Sequence, residues 1–388
     1  MTTTKNNEHK KLNFSSEQEQ SQACLNSAEH EKNQGRKVLN VPNLRFPKFQ
    51  GEWEEYRIED ITVNISSGRC KSHSSNGKYN LYGSTGIIGK TDEACYEGNL
   101  VLVARVGANA GFLQIINEPC GITDNTLIIK SKKVDAQYIY YFLLHFNLNR
   151  LIFGSGQPLI TGSMLKKVKI SLGNIQEQNK LTRLLSLLDE RIATQSKIIE
   201  DLKKLKSAIS ESLFKEVKGD IVMLSEICKI SKGKQINGEF LSEKGKYYVM
   251  NGGTEPSGYY NNYNVEANTI SISEGGNSCG YVQFNTTPFW SGGHCYTIQN
   301  IVRGVDNLYL YHYLKSKEYA IMKLRIGSGL PNIQKKDLAM FKIKIPLAEQ
   351  QKTISTFLSS LERKTEIEEH ILNAIQKEKL YLLQHMFI

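Results

Sequence analysis

Few residues in this sequence have the type and spacing for chemistry. His294 beside Cys295 is the nearest thing to a ligand pair, and the eight histidines are otherwise scattered. No second pair lies near it, so a structural or incidental role stands beside the functional one. Asp124–Asn125 and Glu274–Gly275 each follow a strand-like run. Neither supplies the clustered carboxylates and lysine that a metal-dependent nuclease requires. No GxxxxGK[ST] occurs, so phosphate-loop ATPase chemistry has no support. An HExxH, an NPPY-like run and a GxGxxG after a strand are missing too, and GSGQPL and GSGLPN lack the third glycine.

What remains is positive charge beside glycine. SSGRCK (Ser66–Lys71) places Arg69 and Lys71 after a strand-like run, and SKGKQ (Ser231–Gln235) places Lys232 and Lys234 at the matching point. Short loops of this kind suit phosphate contacts, while Arg and Asn can read base edges through paired hydrogen bonds. Arg105, Asn109 and Asn277 are candidates for that second role. Any one of them is equally well read as a solvated surface group; their occurrence in matching loops is what favours binding. Gly154–Pro158 reads GSGQP and Gly327–Pro331 reads GSGLP. Glycine permits tight turns and proline stiffens them, so both runs serve as connectors. A DNA-facing use through Ser155, Gln157, Ser328 or Asn332 is the other reading, and both stay open.

The elements that position these loops come in duplicate. RIEDITVNISSG (Arg57–Gly68) matches MLSEICKISKG (Met223–Gly233), and NLVLVARVGANAG (Asn99–Gly111) matches NTISISEGGNSCG (Asn268–Gly280). FGSGQPLITGSMLKKVKI (Phe153–Ile170) matches RIGSGLPNIQKKDLAMFKIKI (Arg325–Ile345), and IQEQNK (Ile175–Lys180) matches AEQQK (Ala348–Lys352) after a one-residue slip. Four segments in one order imply internal duplication. Within each copy, NLVLVARVG and NTISISEGG predict strand then turn, and LIIK (Leu127–Lys130) and YTIQ (Tyr296–Gln299) predict a second strand. YIYYFLLHF (Tyr138–Phe146) and YLYHYLKS (Tyr309–Ser316) predict buried helices, with Tyr141, Phe142, Tyr311 and Tyr313 in the core.

Each copy closes on a stretch without Gly or Pro. From Ile175 to Phe214 the apolar residues Leu181, Leu185, Leu188, Ile192, Ile199, Leu202, Ile209 and Leu213 recur at steps built from three and four. From Gln350 to Phe387 the corresponding residues are Ile354, Leu358, Leu361, Leu372, Ile375, Leu382 and Met386. These are heptad seams. Gln195 and Lys206 interrupt the first, and Thr365 and Glu368 the second. Either helix alone leaves an apolar stripe exposed, so the two are expected to pack together, antiparallel because a domain separates them. At 1.5 Å per residue such a helix is roughly 60 Å long and would act as a strut.

The chain has 388 residues, a formal charge of +10 and 40% hydrophobic residues. That length predicts two or three domains, and that charge favours polyanions without choosing among them. No apolar run approaches a membrane span and no secretory signal is present, which predicts a cytoplasmic location and no membrane partner. Seven cysteines with no CxxC predict reduced thiols, without a disulfide framework or structural zinc.

From Trp53 to Phe387 the sequence resembles the specificity subunits of type I restriction–modification systems. The resemblance rests on WEEYRIEDI (Trp53–Ile61), the two Gly-Ser-Gly-x-Pro loops, and EQNK or EQQK leading to LLSLLDERI (Leu184–Ile192) or FLSSLERK (Phe357–Lys364). It implies a mixed α/β (α+β) chain: target recognition domains at 48–174 and 216–348, with conserved long helices at 175–215 and 349–388 forming an antiparallel coiled coil. Residues 1–47 are expected to be a polar, disordered extension, chiefly over Met1–Lys37, since LRFPKF (Leu44–Phe49) is its one compact motif. By the same resemblance the chain is non-catalytic and binds double-stranded DNA at a split target. It pairs with two modification subunits and with restriction subunits. Adenine methylation with S-adenosylmethionine, and cleavage with ATP and magnesium, then belong to those partners, and this chain carries no cofactor or metal. Divergence between the two recognition domains implies an asymmetric target. A DNA-binding adaptor without a nuclease partner, an enzyme acting alone and a coiled-coil scaffold are the alternatives.

Overall fold

The computed structural model describes residues 39–388, apart from 72, 73, 75, 153–156, 328 and 330. The chain divides into two compact units. One comprises the described residues up to Ser186 together with Leu380–Ile388, and the other is Leu187–Lys379.

In the first unit β1 (Glu54–Arg57) leads through the single turn α1 (Ile58–Ile61) into β2 (Thr62–Ser67). There follow β3 (Tyr79–Gly83), β4 (Gly86–Thr91), β5 (Asn99–Ala104), β6 (Leu113–Asn117), β7 (Cys120–Ile122) and β8 (Thr126–Ser131). After α2 (Ala136–Phe146) and α3 (Gly162–Lys166), β9 (Lys169–Leu172) returns to pair antiparallel with β1. The larger sheet has the order β2-β8-β5-β6, the smaller β4-β3-β7. NLVLVA is buried from Leu100 onward because β5 is central and covered on both faces. Asp135 caps α2 by accepting from the Gln137 N–H, and Tyr138, Tyr141 and Phe142 turn into the core. The Tyr138 hydroxyl donates to the Ser171 carbonyl on β9, at 2.9 Å.

Two segments distant in sequence complete this unit. Phe387 packs edge-on against Tyr138, with ring centroids 5.4 Å apart, and His145 Nδ1 lies 2.8 Å from the Leu383 carbonyl. Residues 39–47, the end of the extension whose disorder was expected chiefly over Met1–Lys37, are folded onto the unit; residues 1–38 lie outside the described residues. The reason is a clasp. Arg45 donates to both oxygens of the buried Glu177 carboxylate, at 2.7 and 2.9 Å, and the Trp53 indole N–H donates to the same group at 3.1 Å. The Leu44 N–H also donates to the His385 carbonyl.

The second unit repeats the plan. β10 (Asp220–Met223), α5 (Leu224–Ile227), β11 (Lys229–Lys232), β12 (Tyr247–Met250) and β13 (Tyr259–Tyr260) are followed by β14 (Thr269–Ser273), β15 (Val282–Asn285), β16 (Trp290–Ser291) and β17 (Cys295–Gln299). After α6 (Asn307–Ser316), α7 (Glu318–Met322) and α8 (Lys335–Ala339), β18 (Lys342–Ile345) pairs with β10. Its sheets run β11-β17-β14-β15 and β13-β12-β16, strand for strand as in the first unit. Asp306 caps α6, Tyr311 and Tyr313 are buried, and the Tyr309 hydroxyl donates to the Lys344 carbonyl. Phe214 packs on Tyr309 here as Phe387 packs on Tyr138 in the first unit.

The long helices are α4 (Ile175–Glu216) and α9 (Ala348–His385). Gln178 donates to the Gly173 carbonyl and Gln351 to the Pro346 carbonyl, each reaching back five residues. The helix starts therefore correspond with the same 173-residue offset as the glycine loops, and the slip expected from aligning Glu-Gln with Glu-Gln is corrected. Inside the second unit α4 and α9 run antiparallel: Asp189 pairs with Lys379, Gln195 with Glu368 and Lys206 with Glu362 (2.8 Å). Two of the polar interruptions, Gln195 and Glu368, thus satisfy each other, Lys206 is met by Glu362, and the Thr365 hydroxyl donates to the Leu361 carbonyl of its own helix. Leu181, Leu185, Ile199, Leu358 and Ile375 are buried; Leu188, Ile192, Leu202, Ile209, Ile354, Leu361 and Leu372 are half-buried. Burial opposes ionisation of Glu362, but Lys206 and the Tyr311 hydroxyl outweigh it and hold its pKa below the usual carboxylate value.

Candidate nucleic-acid interface

Three loops meet at one end of each larger sheet. In the first unit the Arg105 N–H donates to the Asn125 carbonyl (2.9 Å), and the Arg105 carbonyl accepts from the Ile160 N–H (2.8 Å). The Gly107 N–H donates to the Pro158 carbonyl at 3.0 Å. In the second unit Glu274 makes the same two bonds, to His294 (2.9 Å) and Ile333 (2.8 Å), and Gly276 donates to Pro331 at 3.0 Å. The proline of each Gly-Ser-Gly-x-Pro run therefore offers its carbonyl to the turn that follows the central strand. The connector reading of these runs has this physical content.

The repeated glycines have backbone causes. Gly107 and Gly276 have φ of 81° and 76°, and Gly111 and Gly280 have 87° and 90°, a region that side chains disfavour. Gly68 and Gly233 have ordinary φ but no room. A Cβ on Gly68 would lie 2.3 Å from the Ile122 carbonyl oxygen, and one on Gly233 2.2 Å from that of Gly292.

The loop after β2 joins the same junction, since Gly68 and Cys70 donate to the Thr126 and Ile122 carbonyls. Arg69 and Lys71 on it are exposed, as are Asn109 at its turn and Gln157 just before Pro158. Lys234 is exposed as well; its N–H donates to the Ser291 carbonyl, and the Trp290 indole donates to its own carbonyl at 2.9 Å. Asn277 is exposed, whereas Asn332 is half-buried and pairs with Ile326 across the base of the GSGLP loop. Ser155 and Ser328 lie outside the described residues. The two loops match as loops, but their basic residues do not occupy the same positions. Lys232 ends β11 opposite Tyr296, where the first unit has Ser67 opposite Leu127, and Lys234 takes the backbone place of Cys70.

Side chains at the junction differ between units. Glu274, set aside in the sequence, is buried at the centre of a polar cluster. Its Oε1 accepts from Lys232 Nζ (2.6 Å) and from the Tyr296 hydroxyl (2.9 Å), and its Oε2 faces His294 Nδ1 at 3.7 Å. Burial, then the bond to Glu274, pushes the Tyr296 phenol well above its usual pKa. At the matching place the first unit has Arg105, half-buried, beside Asn125. No local sequence signal marks Glu274; only the pairing of β11 with β17 brings Lys232 to it. Among the described residues no group of three His, Cys, Asp or Glu could hold a metal ion, and no helix is long and apolar enough to cross a membrane.

One backbone junction is built twice, with two sets of side chains, on duplicated α/β domains that each lead into a long helix. Residues 50–204 and 216–377 each match the type I restriction modification DNA specificity domain, and the chain belongs to that family. It is 27% identical over 237 residues to the Mycoplasma genitalium protein S.MgeORF438P, spanning 56% of this chain and 62% of that one. It is 25% identical over 399 residues to the MjaVIII specificity subunit of Methanocaldococcus jannaschii, covering 87% and 91% of the two chains. The match to S.MpnORF638P of Mycoplasma pneumoniae, 35% identical over 147 residues, spans 38% of that protein. A type I system S subunit from M. genitalium has the same fold, with a TM-score of 0.70 over 90% of this chain and 99% of its own, at 21% identity.

Proposed function

We propose that this chain is the DNA-binding specificity subunit of a type I restriction–modification complex, with no catalytic centre of its own. Each recognition domain, one centred on β2–β9 and the other on β11–β18, reads one half of a split, asymmetric target in double-stranded DNA. Two modification subunits, using S-adenosylmethionine, methylate adenine where the chain directs them. Restriction subunits, using ATP and magnesium, cleave. The observation that carries this reading is the junction at Arg105 and Glu274: the same scaffold presents different side chains, as two readers of unlike half-sites must. Arg69, Lys71, Asn109, Gln157, Lys234 and Asn277 are exposed and suited to phosphate or base-edge contacts. Exposed Leu187, Ile198, Leu205, Phe357, Ile367 and Ile371 on the long helices suit docking of partner helices, and helix length would set the spacer between half-sites.

The test is adenine-methylation mapping of a DNA library. The chain is co-expressed with its modification subunit, and a control omits the chain. A split motif that depends on this chain is the expected result. A stable complex that methylates nothing new would turn the reading towards a scaffold. If restriction subunits added to the methylating complex neither bind it nor cleave unmethylated DNA, the reading turns towards an adaptor.

A further inference from the structure

We propose that the residue at the three-loop junction determines base specificity in each unit: Arg105 reads its half-site directly, while Glu274 is a positioning residue that holds Lys232 for the other. This rests on the specificity-subunit reading above and goes beyond it by assigning the residues.

Both polar groups of the backbone at this position are taken by neighbouring loops, so its Cα is held at the crossing of all three. A side chain leaving that point is presented with little freedom, which is what hydrogen-bond readout of a base edge requires. The two units nevertheless place opposite charges there. Arg105 has no internal counterpart to explain it. Its Nε is buried without a hydrogen-bond partner, and among the described residues it forms no ion pair. An unpaired buried donor is costly; Nε itself is out of a ligand's reach, so a contact with paired acceptors must come from the two terminal nitrogens of this half-buried side chain. Guanine N7 and O6 form such a pair in the major groove.

Glu274 cannot read bases in the same way because its carboxylate is buried. It instead fixes Lys232, which is 51% exposed and bonds to Oε1; His294, 61% exposed, faces Oε2 at 3.7 Å without a hydrogen bond. Lys232 Nζ spends one of its three protons on Glu274 and keeps two for acceptors outside. Tyr296, from the neighbouring strand, fixes the Oε1 end. Leu127 takes the place of Tyr296 in the first unit, so the cluster cannot form there.

The experiment maps adenine methylation by the full complex carrying Arg105→Gln, Arg105→Lys, Glu274→Gln or Lys232→Met. Arg105→Gln is expected to relax one base position in one half-site, with a loss of discrimination of roughly 5–150-fold, and to leave the other half-site intact. Arg105→Lys, which keeps the charge but not the fork, should relax the same position. Glu274→Gln keeps an acceptor for Tyr296 and removes the charge; it should alter the opposite half-site, and Lys232→Met should alter the same base there. Wild-type motifs in Arg105→Lys and Lys232→Met overturn the inference even where the other two variants fail to fold. So do changes from both residues within one half-site, or a uniform fall in methylation with the motif unchanged. If the wild-type complex gives no split motif, the specificity-subunit reading itself has failed.

Discussion

Replacing Arg45 with Met should destabilise the first unit by about 2–4 kcal/mol. Arg45 is 16% exposed and Glu177 only 2%, so the pair is not a surface bridge. Removing one partner of a buried ion pair costs about 3–5 kcal/mol, because the other charge is left without its counterion. Two features lower that figure here. The Trp53 indole still donates to Glu177, and Glu177 lies in the first turn of α4, where the helix dipole offsets about 0.3–1 kcal/mol. Glu177→Gln should cost less, about 1–2 kcal/mol, since Arg45 can turn to the Gly51 carbonyl that it already reaches at 2.6 Å. The double variant should be more stable than the two losses added, with a coupling of about 1–3 kcal/mol. The assay is urea unfolding by fluorescence. The chain has two tryptophans, and in a Trp290→Phe background the signal comes from Trp53, which sits inside the clasp at 4% exposure. A coupling under about 0.5 kcal/mol, with unchanged m-values, would refute the claim that the clasp holds residues 39–53 in place.

Other expectations follow from the same contacts. Replacing Lys232 and Lys234 together with Ala should weaken DNA binding by the full complex and flatten its salt dependence, lowering the slope of log K against log salt by roughly 1–2; an unchanged slope removes both from the phosphate contacts. A heptad inserted into both α4 and α9, between the Gln195–Glu368 and Lys206–Glu362 pairs, lengthens the helices by roughly 10 Å, or about three base pairs. Methylation mapping should then show a longer spacer and the same half-sites, and altered half-sites at constant spacer would sink the strut idea. His312 is buried and its pKa is pushed down to about 4, chiefly by burial, with Glu362 pulling it up and Lys206 pushing it down. The unfolded imidazole takes a proton below about pH 6.5 and the folded one only near 4. Stability is therefore full above 6.5 and falls by up to about 3 kcal/mol as the pH drops towards 4. In His312→Gln the stability of the second unit, followed by Trp290 fluorescence in a Trp53→Phe background, should lose that slope, and a slope as steep as wild type would exclude His312 as its source.

Much of the architecture was legible because duplication and periodicity are local properties of a sequence. The echo of NLVLVARVGANAG in NTISISEGGNSCG corresponds to β5 and β14 with their turns, and the aromatic runs to α2 and α6. Heptad spacing in stretches free of Gly and Pro located α4 and α9 to within about three residues at each end. Residues 39–47 carry Val41, Leu44 and Phe46, but what holds them was not legible, because the anchor Glu177 lies 132 residues beyond Arg45. Gln195, Lys206 and Glu368 looked like defects in two separate seams because each was seen without the partner that satisfies it.

The sequence alone thus determined that there are two copies of one domain, two long amphipathic helices and no familiar catalytic motif, since each is written in neighbouring residues. The tertiary structure decided which residues meet. Lys232 and Glu274 lie 42 positions apart, and only the sheet order, with β17 between β11 and β14, joins them. Arg105 and Glu274 are chemically unlike, so no comparison of side chains would equate them. Backbone hydrogen bonds do, because the main-chain N–H and carbonyl are the same in every residue while the side chains are free to differ.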